Sequence, residues 1–220
     1  MKTIKIIFTV VLGMTVLGCS TDSENTVIPP AEDDSPQQVA TTAIADSNFE
    51  QALVDLDIDD LVDGEVRNDR IDDVTSLVVD DKGITNLSGI EGFVQLENLS
   101  ARNNNLSTVD VSGVPTLKFL WVEDNVIDNL NLMGLTILEK VGADRNALTA
   151  INVVDNGALQ LLNLSENNLA SIDVSNNPAL TDFTVVGNPL TCILVNQTQL
   201  DAIPTDWSKD DEDGYALDCE

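Results

Sequence analysis

The sequence predicts a mainly β solenoid, a stack of short repeated units, and three observations predict it. One set of apolar positions returns every 21 residues from residue 96 onward. An asparagine recurs at one phase of those units, at Asn104, Asn125, Asn146, Asn167 and Asn188. The chain is 43% hydrophobic but only 4% aromatic, so its core must be assembled from Leu, Val, Ile and Ala. Thin repetitive layers suit such residues better than a globule organised around large rings.

The chain begins with a positive start at Lys2 and Lys5 and a short apolar run from Ile4 to Leu17. A run this short, ending in small residues, reads over residues 1–18 as an export signal and not as a membrane span. Val16-Leu17-Gly18-Cys19 resembles a bacterial lipobox, which implies cleavage before Cys19 and diacylation of its sulfur. The lipid would then be the only contact with a membrane. Residues 19–42 are rich in Ser, Thr, Pro and acids and contain no aromatic residue, so a flexible acidic tether is expected. Asp22 and Glu24 behind the cysteine resemble surface-export signals of lipoproteins in some Gram-negative bacteria. That resemblance implies display on the outer membrane surface, with periplasmic retention as the alternative.

An N-terminal cap is expected over residues 43–73. Ser47-Asn48-Phe49-Glu50 fits a capping box, and Phe49, Ala52, Leu53 and Leu56 fall on one helical face. A short helix over about residues 47–57 would cover the open end of the stack. Asp57 to Asp73 reads as an acid-dense loop containing Asp63-Gly64.

The repeats occupy residues 74–195. A degenerate 22-residue unit comes first, with Val74, Leu77, Val79, Ile84 and Leu87, and with Lys82 in the asparagine slot. Five units of 21 residues follow, led by Leu96, Leu117, Leu138, Leu159 and Leu180. Together they match L-x-x-L-x-L-x-x-N-x-L, the leucine-rich-repeat pattern. Within each unit side chains alternate along a short strand, so two apolar residues face inward and the residues between them face out. Stacking pairs these strands into one parallel, concave sheet. Each asparagine sits where the chain leaves the strand, and its amide can donate to and accept from backbone groups of the turn. The return half, Val109-Asp110-Val111 and its counterparts, alternates again, so the convex side should be extended segments with little helix. Residues 196–220 form a non-repetitive cap in which Trp207, Tyr215 and Leu217 are available to cover the last core layer. Cys192 and Cys219 remain as an even pair in an oxidising compartment, so a disulfide worth about 3 kcal/mol is expected.

The outward strand positions form three columns. The first runs Ser76, Asn98, Phe119, Lys140, Leu161, Asp182; the second Val78, Ser100, Trp121, Gly142, Asn163, Thr184; the third Asp80, Arg102, Glu123, Asp144, Ser165, Val186. Phe119 and Trp121 both fall on the solvent side of one strand, where aromatics are favoured interface anchors. Lys140 and Leu161 extend that patch, and Gly142 leaves room beside the indole. A blander reading has the rings sheltering each other with Lys140 over one of them. Arg102 between Asp80 and Glu123 reads as a surface ion-pair ladder.

Chemistry is constrained as strongly. The chain carries 38 acidic against 10 basic residues and no histidine. Nucleic acid and anionic membranes need a positive footprint, which is missing. No Ser-His or Cys-His pair can form, and no glycine-rich phosphate loop is present. Glu123 and Asp144 could pair in the manner of a glycosidase, but neighbouring carboxylates in so acidic a chain read as a solvated face, and no enzyme is expected. No cofactor is expected either. Calcium is the one candidate raised by the acidic loops, at Asp57, Asp59, Asp60, Asp63 and at Asp210, Asp211, Glu212, Asp213. Neither run keeps the alternate carboxylates of an EF-hand loop, because Leu61 and Lys209 stand where ligands are needed.

Over about residues 44–220 the chain resembles bacterial surface leucine-rich-repeat lipoproteins of internalin-like type. The repeat register carries the resemblance, with the phrase Asp173-Val174-Ser175-Asn176-Asn177-Pro178-Ala179-Leu180. It implies a monomeric binding or adhesion module that presents its concave sheet to a protein or glycan. The chain departs from internalins in its few repeats and its acidic, lipid-anchored N-terminal end, so no partner is carried over. Two alternatives stand: a structural envelope lipoprotein without a specific ligand, and an accessory carbohydrate-binding lipoprotein with Trp121 stacked on a sugar ring.

Overall fold

The computed structural model describes residues 39–219. The export signal, Cys19 and all but the end of the tether lie outside the described residues.

Seven parallel strands of three residues make the concave sheet: Ser76–Val78, Asn98–Ser100, Phe119–Trp121, Lys140–Gly142, Leu161–Asn163, Asp182–Thr184 and Asp206–Ser208. The middle residue of each faces inward, so Leu77, Leu99, Leu120, Val141, Leu162, Phe183 and Trp207 stack in register and are buried. The first two outward columns read from the sequence are the columns of the sheet, and the third lies two residues past the strand ends. On the convex side, Thr108–Asp110 pairs with Asn129–Asn131, and Ser171–Asp173 pairs with Cys192–Leu194 and then Tyr215–Ala216. The extended convex side is thus present, but residues 150–152 fall outside the convex ladder and split it in two.

Polar order comes from the asparagine column, and its bonds run mainly between units. Asn125 Nδ2 donates to Ala101 O at 3.0 Å in the unit below, and to Val122 O and Glu123 O of its own turn. Its Oδ1 accepts from Leu106 N at 3.0 Å. Asn104, Asn146, Asn167 and Asn188 repeat the arrangement, so each amide joins its own turn to the one before. The residue before each asparagine slot has positive φ: Asp81, Asn103, Asp124, Arg145, Glu166 and Gly187. Asp, Asn and Gly accept that conformation most easily, and Arg145 and Glu166 bear its strain. A second amide column crosses the convex turns. Asn156 donates to Leu132 O and Leu135 O, Asn177 to Val153 O and Asn156 O, and Gln199 to Val174 O and Asn177 O.

Both ends differ from expectation in detail. Chain pairing begins inside the stretch read as tether: β1 (Thr41–Ala43) pairs antiparallel with β2 (Glu65–Arg67). The cap helix α1 runs Ser47–Asp55 and its cap is Asp46, not Ser47, so the expected capping box does not form. Asp46 Oδ1 accepts from Asn48 N and Phe49 N, while Oδ2 accepts from Thr85 N, Thr85 Oγ1 and Asn86 N. One carboxylate therefore caps the helix and staples it to the first repeat. Glu50 turns instead to the acidic loop, where Oε1 accepts from Asp63 N and Gly64 N at 2.7 and 2.6 Å. Phe49, Ala52 and Leu53 are fully buried, but the helix stops at Asp55 and leaves Leu56 exposed. That loop also contains β2 and a single helical turn, Asn68–Ile71, which bury Val66 and Ile71.

At the C-terminal end the cap continues the solenoid. Asp206–Ser208 adds the seventh concave strand, and Tyr215–Ala216 extends the convex one. Trp207 meets Phe183 edge-on at 5.2 Å and Tyr215 at 5.8 Å, and its Nε1 donates to Leu180 O. Leu217 is exposed and does not help to cover the core; Leu200 and Ile203 pack there instead. Cys192 and Cys219 form the expected disulfide.

Candidate functional site

The concave strands bring the sequence-selected residues together. Phe119, Lys140 and Leu161 are successive members of one outward column, and Trp121 lies in register with Gly142. All but Gly142 are partly exposed, and Gly142 is buried. A Cβ on Gly142 would lie 2.8 Å from Trp121 Cε3 and 2.5 Å from Glu123 Oε1. The room that glycine leaves is therefore already filled by the leaning indole and the Glu123 carboxylate.

The cations of the patch are engaged with its rings. The Arg102 guanidinium carbon lies 4.9 Å from the Trp121 ring centroid, and Lys140 Nζ lies 5.8 Å from that of Phe119. Arg102 Nε also donates to Glu123 Oε2 at 2.8 Å, a bond that raises the guanidinium pKa above its ordinary value. The ladder expected through Asp80 is absent: Asp80 Oδ1 accepts from Ser100 Oγ and from the backbone N of Arg102, not from its side chain. Asp144 is buried, pairs with Arg145 and accepts from Asn163 Nδ2 at 2.9 Å. Glu123 and Asp144 are thus each held by a separate cation of this chain.

Beside the indole lies an open pocket of about 220 Å³. Trp121 and Glu123 form one wall, Leu161 and Asn163 line it, and Asp182 and Thr184 stand at the far rim. Sequence reading placed Asn163, Asp182 and Thr184 in the outward columns without singling them out. A larger depression of about 430 Å³ lies on the convex side, where residues 150–152 leave the ladder. It offers no aromatic side chain, and its one carboxylate, Asp110, accepts from Ser112 and Asn131. The concave pocket is the smaller of the two but has the better anchors.

No group of three or more acidic or cysteine side chains placed to hold a metal ion occurs among the described residues. No helix among them is long and apolar enough to cross a membrane.

No family model matches the chain, and no curated protein matches it. Solved structures do. The functional domain of InlJ from Listeria monocytogenes is 26% identical with a TM-score of 0.62, over 72% of this chain and 39% of that one. The chain therefore spans about two fifths of that protein's resolved length. Internalin C2 from the same organism is 17% identical with a TM-score of 0.52, over 82% of this chain and 92% of that one. The fold is that of the internalin-type leucine-rich-repeat proteins. The InlJ domain includes a cysteine ladder; the buried ladder here is built of asparagine.

Proposed function

We propose that this chain is an extracellular, lipid-anchored binding module that takes a protein partner on its concave sheet. The observation that carries the reading is the partly exposed Phe119–Trp121 pair on a central concave strand, with a pocket at the indole. Exposed aromatics at the centre of a concave face are the usual anchors of a binding surface. The internalin-type fold supports a binding role, and residues 1–19 support export and lipidation at Cys19. Binding without catalysis is consistent with the engagement of Glu123 by Arg102 and of Asp144 by Arg145. The module is proposed to act as a monomer displayed on the outer membrane surface.

The test is to pan a phage-displayed random-peptide library on the full chain. Clones recovered on the native protein should lose binding to F119A/W121A and keep it on the convex-side variant M133A/V154A. Clones that bind all three equally would overturn the reading. Protease shaving of intact cells tests display, since a periplasmic protein would survive it.

A further inference from the structure

The outward columns carry six carboxylates, Asp80, Glu123, Asp144, Asp182, Asp206 and Asp210, against two cations, Arg102 and Lys140. Four of the six are engaged. Asp80 accepts from Ser100 and Arg102, Glu123 from Arg102, Asp144 from Arg145 and Asn163, and Asp210 from the backbone N of Gly187. Asp182 and Asp206 are left over. They stand directly opposite each other on adjacent parallel strands, both exposed, and neither makes a side-chain hydrogen bond or ion pair among the described residues. Like charges placed opposite each other across a sheet destabilise it, and nothing among the described residues offsets this pair. Asp182 is also the far rim of the pocket walled by Trp121 and lined by Leu161.

We propose that this pocket takes an arginine side chain of the protein partner. Its aliphatic stem would lie on Leu161 and the exposed edge of Trp121, and its guanidinium would meet Asp182 and Asp206. Three features favour arginine. A guanidinium offers five donors in a flat fork that can serve two carboxylates at once. A pocket of about 220 Å³, apolar at one end and anionic at the other, matches a stem with a charged head. The net charge of −28 draws a basic partner toward the chain over long range. A neutral glycan can donate hydroxyl hydrogen bonds to these carboxylates, but it gains nothing from that field.

The inference rests on the concave-face reading above, and its test separates the two. The capped peptide acetyl-Gly-Arg-Gly-amide is titrated into the full chain and followed by two-dimensional NMR. Backbone signals of residues 161–163, 182–184 and 206–208 should shift and saturate. D182N/D206N should weaken the affinity at least tenfold, while D128N/D173N, which removes the same charge beside and on the convex strands, should change it less than twofold. Equal weakening by both variants would reduce the effect to general electrostatics and overturn the proposal. Equal binding of acetyl-Gly-Gln-Gly-amide would overturn it too, as would cellotetraose shifting these signals at the concentrations that the arginine peptide needs. If the arginine slot fails while panned clones still depend on Phe119 and Trp121, the concave-face reading stands without it. Loss of both removes the binding reading itself.

Discussion

Gly142→Ala adds one carbon to the floor of the concave pocket. Built on the backbone, it lies 2.5 Å from Glu123 Oε1, 2.8 Å from Glu123 Cδ and 2.8 Å from Trp121 Cε3. Ordinary contact begins at 3.4 Å, so both side chains must withdraw by about 0.6–0.9 Å. The obstructing atoms are side-chain ends and not backbone, so the strand can hold while the carboxylate and indole move. Glu123 then loses its 2.8 Å bond from Arg102, a partly exposed pair worth about 0.2–1 kcal/mol. The stacking of Arg102 on Trp121 weakens by about 0.5–1 kcal/mol. Alanine restores about 0.5–1 kcal/mol over glycine within a strand. The net change in unfolding free energy should stay within about 1 kcal/mol, read by urea denaturation. Trp121 and Trp207 are the only tryptophans, and Trp207 is buried in the C-terminal core. A changed near-UV circular dichroism spectrum and easier acrylamide quenching would therefore report Trp121. Unchanged spectra, or a loss of 3 kcal/mol or more, would refute the reasoning.

Other perturbations reach the scaffold. Asp46→Ala removes a helix cap and the bonds from Thr85 and Asn86, and should cost about 2–4 kcal/mol in urea denaturation; a cost below 1 kcal/mol would deny the staple. Burial pushes the Asp46 carboxyl up, but the hydrogen bonds from Thr85, Phe49 and Asn48 outweigh it and hold it below the ordinary 3.8. Its stabilisation is thus full above pH 3.8 and lost as pH falls through the lower folded value, so the gap between wild type and D46A should close on acidification. Asn125→Ala strands the buried Leu106 N–H and the Ala101 carbonyl, which predicts a loss of about 2–5 kcal/mol by the same assay. Replacing Cys192 and Cys219 together by serine opens a link spanning 27 residues and should lower stability by about 3 kcal/mol, measured in non-reducing buffer.

The repeat core was legible because its period is long, regular and repeated. Leu99, Leu120, Val141 and Leu162 each fill one phase, and strand alternation then settles which neighbours face out. The helix cap was misplaced because Asp46 and Ser47 are both good cap residues, and the choice is made by Thr85 and Asn86 from a distant turn. The seventh strand hid because Trp207 follows Phe183 at 24 residues instead of 21 and no asparagine accompanies it. The second amide column went unread because Val114 and Leu135 hold its earlier positions and Gln199, 22 residues after Asn177, its last, so only two asparagines mark it. For the site, the columns gave the right neighbours. The pocket itself depends on which way the Trp121 side chain leans over Gly142, and no spacing encodes that.

Hydrogen exchange on the full chain, with and without a clone-derived peptide from the panning, tests most directly where recognition takes place. Protection should rise at residues 119–121, 140–142, 161–163 and 182–184 on the concave strands, leaving 108–110 and 129–131 unchanged. Protection confined to those convex strands, around the larger depression, would contradict it.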